Sequence, residues 1–343
     1  MNKIHQKISC LLIAFTLASC SSQGILSKSD RLKPVYITEK VNHDTDDPAI
    51  WIHPTDPSKS LILGTDKETT GGLFAYDLTG KIVNKVLNIK RPNNVDIRYG
   101  FDLNGKKIDI AALTERETNR VRIYSLPDLT EVGSFSVFDG EQMRDPMGIS
   151  LYKNPQTQEF FAVVGRKNGP SGTYLWQYKL TVQNGRIGAE VVRKFGNYSG
   201  LKEIESIAVD DELGFIYYSD EGFGVHQYYA DPQMGNQELL VFGKGDFKAD
   251  VEGISIYPTS EKTGYILVSN QQADSFNVYL RENPAKGRIA EIPVSTSESD
   301  GSEVTAVNLG EKFPKGIFVA MSNGKVFHIY DWRDLQSKIP TIK

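Results

Sequence analysis

Hydrophobic positions recur along this chain in short alternating or β-branched runs, and no long stretch carries the three- and four-residue spacing of an amphipathic helix. Lys81–Leu87, Lys107–Leu113, Phe160–Val164, Phe215–Tyr218, Tyr265–Ser269 and Gly316–Met321 read as strands, divided by Gly, Asn, Asp and Pro. They recur in a larger unit: a first strand, a turn, a second strand with a small or acidic end, a loop, then a strand bearing Tyr or Phe. First strands begin near Pro48, Val95, Gly148, Ser206, Gly253 and Thr305, at steps of 47, 53, 58, 47 and 52 residues. The matching later strands read FAYDL, RIYSL, WQYKL, HQYYA, NVYLR and HIYDW. A repeat of this length with about four strands per copy is the signature of a β-propeller. The expected fold is all-β, a six-bladed β-propeller. The strand near Val35–Val41 precedes the first unit and is expected to close the ring against the last. Two β-sandwiches of three units each are the alternative, but no linker-like break divides the units.

The N-terminus stands apart from this pattern. Lys3 and Lys7 precede an apolar run from Ile8 to Leu17, too short to span a bilayer as a mature helix. The run ends in Leu17-Ala18-Ser19-Cys20, which resembles a bacterial lipoprotein signal in which Cys20 is acylated; an ordinary secretory signal is the alternative. The expected division is 1–19 signal peptide, 20–33 polar tether and 34–343 propeller domain. The protein is then a lipoprotein on the periplasmic or extracellular face of a membrane, touching it through lipid alone.

Composition narrows the chemistry. Hydrophobic residues make up 39% and aromatic residues 10% of the 343, ample for one large core. Lys and Arg number 39 against 43 Asp and Glu, so no basic footprint for nucleic acid is present. Loss of Lys3 and Lys7 with the signal moves the balance from −4 to −6. Two cysteines support neither a disulfide framework nor a thiolate zinc site. His43, His53, His226 and His328 are widely spaced and read as surface or satisfied structural residues. The chain has no H-E-x-x-H, no G-x-S-x-G and no phosphate-cradling G-x-x-x-x-G-K-[ST].

The loops before the repeating first strands are rich in acids: Asp44-Thr45-Asp46-Asp47, Asn93-Asn94-Val95-Asp96, Glu203-Ile204-Glu205 and Asp250-Val251-Glu252, and Asp220-Glu221 follows the second strand of the fourth unit. Lys67, Arg116 and Lys167 fall at matching points after second strands. Carboxylates gathered on one rim repel one another unless a cation shares them, and oxygen ligands without His or Cys suit calcium. Bases beside such a rim suit an anion that also meets the metal, phosphate above all. Asp, Asn and Gly are also ordinary turn residues, which is the alternative for any one position.

At these residues the chain resembles the β-propeller phytases. The resemblance rests on Asp46-Asp47-Pro48-Ala49-Ile50-Trp51, on Asn93-Asn94-Val95-Asp96-Ile97-Arg98-Tyr99, on Asn104-Gly105-Lys106-Lys107-Ile108-Asp109-Ile110-Ala111-Ala112, and on Glu205 with Asp210-Asp211-Glu212 and Asp250-Val251-Glu252-Gly253. It runs from about Val41 to Trp332. It implies a six-bladed, monomeric propeller that holds several calcium ions on one face and hydrolyses phytate, myo-inositol hexakisphosphate. Asp46, Asp47, Glu205, Glu221, Asp250 and Glu252 would be calcium ligands, Asn94 and Val95 would help hold a structural calcium, and Lys67, Arg116 and Lys167 would grip phosphate. The implied reaction is attack of a metal-activated water at phosphorus. The chain departs from the family where Met147 replaces a tyrosine, where Asp300-Gly301-Ser302 runs directly into Glu303-Val304-Thr305, and at Met321-Ser322-Asn323-Gly324-Lys325. The last two remove acidic ligands in the sixth unit and leave Asp300 and Glu303 as the acids there. A propeller that only binds an anionic ligand or a partner protein, and a calcium lactonase, are the rival readings.

Overall fold

The computed structural model describes residues 30–341, so the signal, Cys20 and most of the expected tether lie outside the described residues. The described chain is all-β apart from short 3-10 turns and one short helix, Trp332–Gln336. Its sheets are arranged like a propeller. Thr45–Trp51, Leu61–Asp66, Gly71–Tyr76 and Ile82–Ile89 form the first four-stranded antiparallel sheet. Two further sheets of this kind run Ile207–Asp210 to Leu240–Phe242 and Val251–Pro258 to Ala290–Pro293. Between the first and these lies an eight-stranded sheet made of two antiparallel meanders, Pro92–Ser136 and Pro146–Phe195, joined by a single parallel pair, Gly133 with Ile187. The final sheet contains Ser302–Val304, Ile317–Ser322 and Val326–Asp331, and its outer strand is Tyr36–Ile37 from the other end of the described chain.

That last pairing closes the molecule as the sequence pattern anticipates. Tyr36 stands opposite Ile329 and Ile37 opposite His328, and the Thr38 and Val41 N–H groups donate to Phe327 and Lys325 carbonyls. Residues 30–33 also dock: Leu32 bridges Val294, and Arg31 pairs with Asp274 at 2.5 Å. Innermost strands touch in order, 45–51 against 92–103, then 146–153, 207–210, 251–258 and 302–304, which returns to 45–51. Apolar side chains fill the space between neighbouring sheets. Phe327 of the last packs across Gly64 of the first, where a Cβ would fall 2.2 Å from its ring, and Phe242 meets Tyr279 edge to face at 4.9 Å. The Tyr- and Phe-bearing segments all lie in third strands, one face in each interlayer core.

One expectation is displaced. The sixth first strand is Ser302–Val304, not a run beginning at Thr305, because Asp300-Gly301-Ser302 already pairs at the axis: Ser302 stands opposite Ala320 and the Gly253 N–H donates to the Asp300 carbonyl. Thr305 to Leu309 is loop.

Four of the innermost strands carry the same irregularity near their starts, one extra residue between Thr45 and Pro48, Pro92 and Val95, Pro146 and Ile149, and Val251 and Ile254. A bulge of this kind turns a side chain out of the ladder. Asp46, Asn93, Met147, Glu205, Glu252 and Asp300 each lie two residues before the corresponding ladder pair, so the register places them as equivalents around one end of the axis. At the other end Asp210-Asp211-Glu212 is structural. Arg98 meets Asp211 at 3.0 Å, and Arg281 pairs with Asp210 at 2.6 Å and Glu212 at 2.7 Å.

Candidate metal and phosphate site

The bulges and second-strand ends bring most of the predicted acids together, but in separate groups. Glu203, Glu205 and Glu221 each bring a carboxylate oxygen within 4.8 Å of the others, and Glu221, Asp250 and Glu252 do the same, so Glu221 is shared. Glu252 comes from a bulged strand start and Glu205 from the equivalent place two residues before Ile207; Glu221 follows a second strand, its N–H donating to the Glu203 carbonyl. Asp46 stands to one side with Asp300, and the Lys67 ammonium lies between them, 3.0 Å from Asp46 Oδ1 and against Asp300 Oδ2. Asp47, Asn94 and Val95 are in neither carboxylate group. They line an axial cavity of about 160 Å³ with Asp96, Arg98, Ser150 and Glu303, and Val95 N–H donates to Asp47 Oδ2 at 3.1 Å.

Crowded carboxylates in a dry site resist ionisation. Burial, then the charges of Asp46 and Asp300, pushes Glu205 well above the ordinary carboxylate range. Burial, then Glu205 and Glu221, does the same to Glu252. Glu221 is raised to about 7 by burial, then Glu203 and Asp250. Burial raises Asp300 to about 6 against the opposing pull of Lys67. Asp47 is pushed well up by burial and Asp46, and Glu303 to about 8 by burial and Asp96. Burial alone would lower Lys67, but Asp46 and Asp300 outweigh it and its ammonium is held charged.

These carboxylates could hold a metal ion. The donors are all oxygen, and Glu252 is 4% exposed with its Oε2 buried and without a hydrogen-bond partner. Such an atom costs free energy unless a ligand meets it. A cleft of about 470 Å³ opens beside the group, lined by Met143, Asp145, Lys167, Asn168, Lys202, Glu203 and Glu221. Lys167 reaches Glu203 Oε2 at 3.0 Å, and Lys202 lies against Asp250 and 3.7 Å from Glu221. Arg116 is half-buried on its short 3-10 turn and carries no ion pair among the described residues. Lys67, Arg116 and Lys167 hold corresponding places, each N–H bonded to the residue that opens its unit: Asp44, Arg91 and Asp145.

A family model described as phytase matches residues 3–329. The chain belongs to the phytase family. The match spans nearly the whole chain and makes this an enzyme of phytase type, in agreement with the motifs at Asp46 and Asn93. A 3-phytase of Bacillus subtilis (strain 168) is 33% identical over 316 residues, covering 84% of this chain and 80% of that protein. Among solved structures, a chain in a crystal structure of the mitotic checkpoint complex matches 94% of this chain and 99% of its own length with a TM-score of 0.52. At 10% identity that likeness shows the fold alone.

Within this phytase framework, sequence reasoning passed over Lys202, which carries no motif and joins the site only because its loop folds across Glu221 and Asp250. It left Asp300 as a candidate without a place, and the register puts it beside Asp46 in the acidic ring. Met147 holds the equivalent apolar position and is buried. The described histidines stay out of both carboxylate groups. His226 lies between Asp220 at 3.1 Å and Glu238 at 2.6 Å, and burial pushes His328 down to about 4.

Proposed function

We propose that this protein is a calcium-dependent phosphomonoesterase that releases phosphate from phytate, built on a six-bladed propeller and anchored through Cys20. Each meander of the eight-stranded sheet counts as one blade, the single Gly133–Ile187 pair being a bridge between neighbours. The observation that carries the functional reading is the pair of carboxylate groups sharing Glu221 at the edge of a cleft that also holds Lys167 and Lys202. Membership of the phytase family and the similarity to a 3-phytase support the substrate.

Glu203, Glu205, Glu221, Asp250 and Glu252 would hold the calcium, which suits hard oxygen donors of this number. When bound, the ion supplies charge neutralisation, Lewis acidity toward phosphoryl oxygens and a lowered pKa for bound water. The chain's own residues do the positioning. Lys167 and Arg116 offer charge-assisted hydrogen bonds to phosphate oxygens, so that a second phosphate of a polyphosphorylated ring orients the first. Glu205 and Glu252, buried and forced upward, carry full charge only when a cation shares it, which ties the site's assembly to the metal. No Ser, Thr, Cys or His lines this cleft among the described residues, and direct displacement by water needs no covalent enzyme intermediate.

Purified protein should release phosphate from phytate at pH 7–8 in millimolar calcium and stop when a chelator is added. Glu205→Gln should lower turnover by about a hundredfold or more while leaving circular dichroism unchanged. No phosphate release from phytate or simpler esters at any calcium concentration would sink the reading.

A further inference from the structure

Lys202 has a place in the site that the phosphate-gripping role of Lys167 does not account for. Its ammonium rests on Asp250 Oδ1 and lies 3.7 Å from Glu221 Oε2, two members of the Glu221–Asp250–Glu252 group. The third, Glu252, keeps Oε2 buried and without a hydrogen-bond partner. The backbone under Lys202 is tied down. Ser199 donates its N–H to Asp220 Oδ2 and its hydroxyl to Asp220 Oδ1, each at 2.7 Å. The Tyr198 hydroxyl donates to the Lys202 carbonyl, and its ring packs on Tyr174 with centroids 4.6 Å apart. The side chain itself is 51% exposed, against 24% for Lys67 between Asp46 and Asp300. The anchor is fixed while the ammonium stands at the mouth of the group, on the wall of the cleft it shares with Lys167.

We propose that Lys202 is a tethered ammonium that competes with the divalent cation for Glu221, Asp250 and Glu252 and swings into the cleft, toward the phosphate-bearing substrate, when the cation binds. This rests on the metal-dependent reading above. Asp250 and Glu221 are buried, but the Lys202 side chain is half-exposed, so its ammonium gives up little solvation in the pair and leaves it readily for water. A divalent cation brings twice the charge and can meet the Glu252 oxygen that the ammonium leaves alone. Once displaced, Lys202 needs an anionic partner, and a phosphate in the cleft is within its tether. Cation and phosphate ester then help each other bind, because the coupling between two ligands is reciprocal.

Calorimetric titration of chelator-stripped protein with calcium chloride, without substrate, tests this. Lys202→Met should bind calcium about five- to tenfold more tightly than the unaltered protein, and Lys202→Arg within about twofold of it. In calcium-saturated assays Lys202→Met should raise KM for phytate. Calcium affinity unchanged or weakened in Lys202→Met, or an unchanged KM, overturns the role of Lys202. Absence of any calcium binding by the unaltered protein overturns the metal-dependent reading itself and this one with it.

Discussion

Glu221 shows how one side chain's surroundings set its chemistry. It belongs to two carboxylate groups at once, and burial with Glu203 and Asp250 nearby lifts it to about 7 from an ordinary 4.5. Asp300 is lifted to about 6 from 3.8. A raised pKa in the folded state means the fold favours the protonated form. The stabilisation is therefore complete below about pH 4 and is lost as pH rises through about 6 and 7. In a chelator, the melting temperature should fall from pH 5 to pH 8; with millimolar calcium that slope should flatten or reverse, since a cation replaces the protons. A calcium-free melting temperature that rises across that interval would count against these carboxylates sharing an uncompensated site. The acids themselves are readable in the sequence because Asp and Glu cluster before four of the first strands and, at Asp220-Glu221, after a second strand. Their division into groups is not, since it depends on which bulge turns which side chain to the axis.

Elements carry a different lesson. The six Tyr- and Phe-bearing segments all become third strands, because alternation with one buried face is a local property that each strand expresses alone. Bulges left no such trace, and they set the site. Gly148 illustrates the constraint: a Cβ there would fall 2.0 Å from the Glu205 carbonyl, so neighbouring innermost strands approach too closely for a side chain. The sixth first strand was misplaced for a related reason. Its three residues, Ser302–Val304, are too few for periodicity to reveal. The closing strand Tyr36–Ile37 is also short, yet it completes a sheet whose other strands lie almost 300 residues away. A chain beginning at Thr38 loses that pairing, the Leu32–Val294 bridge and the Arg31–Asp274 ion pair. Its melting temperature should drop by roughly 10 °C or more, read by calorimetry. A shift within about 2 °C would mean that the ring closes without this strand.

At the scale of the whole molecule, net charge says little about function. A mild excess of acid hides an uneven rim, with Glu203, Glu205, Glu221, Asp250 and Glu252 on one side and Lys67, Arg116 and Lys167 on the other units. The proposed anchor belongs to this scale too. If Cys20 is acylated as proposed, the protein should partition with membranes and incorporate labelled palmitate, and Cys20→Ser should abolish the labelling; labelling that persists in Cys20→Ser would place the lipid elsewhere. The all-β class, the repeat, the family and the residue types of the site are legible along the chain, since periodicity, turn residues and motifs are properties of neighbours in sequence. That Glu221 is shared, that Asp300 joins Asp46 around Lys67 and that Lys202 stands over Asp250 emerge from the folded arrangement alone. Those contacts join residues about 20 to more than 200 positions apart, and their distances follow from strand register and loop packing, which no local pattern encodes.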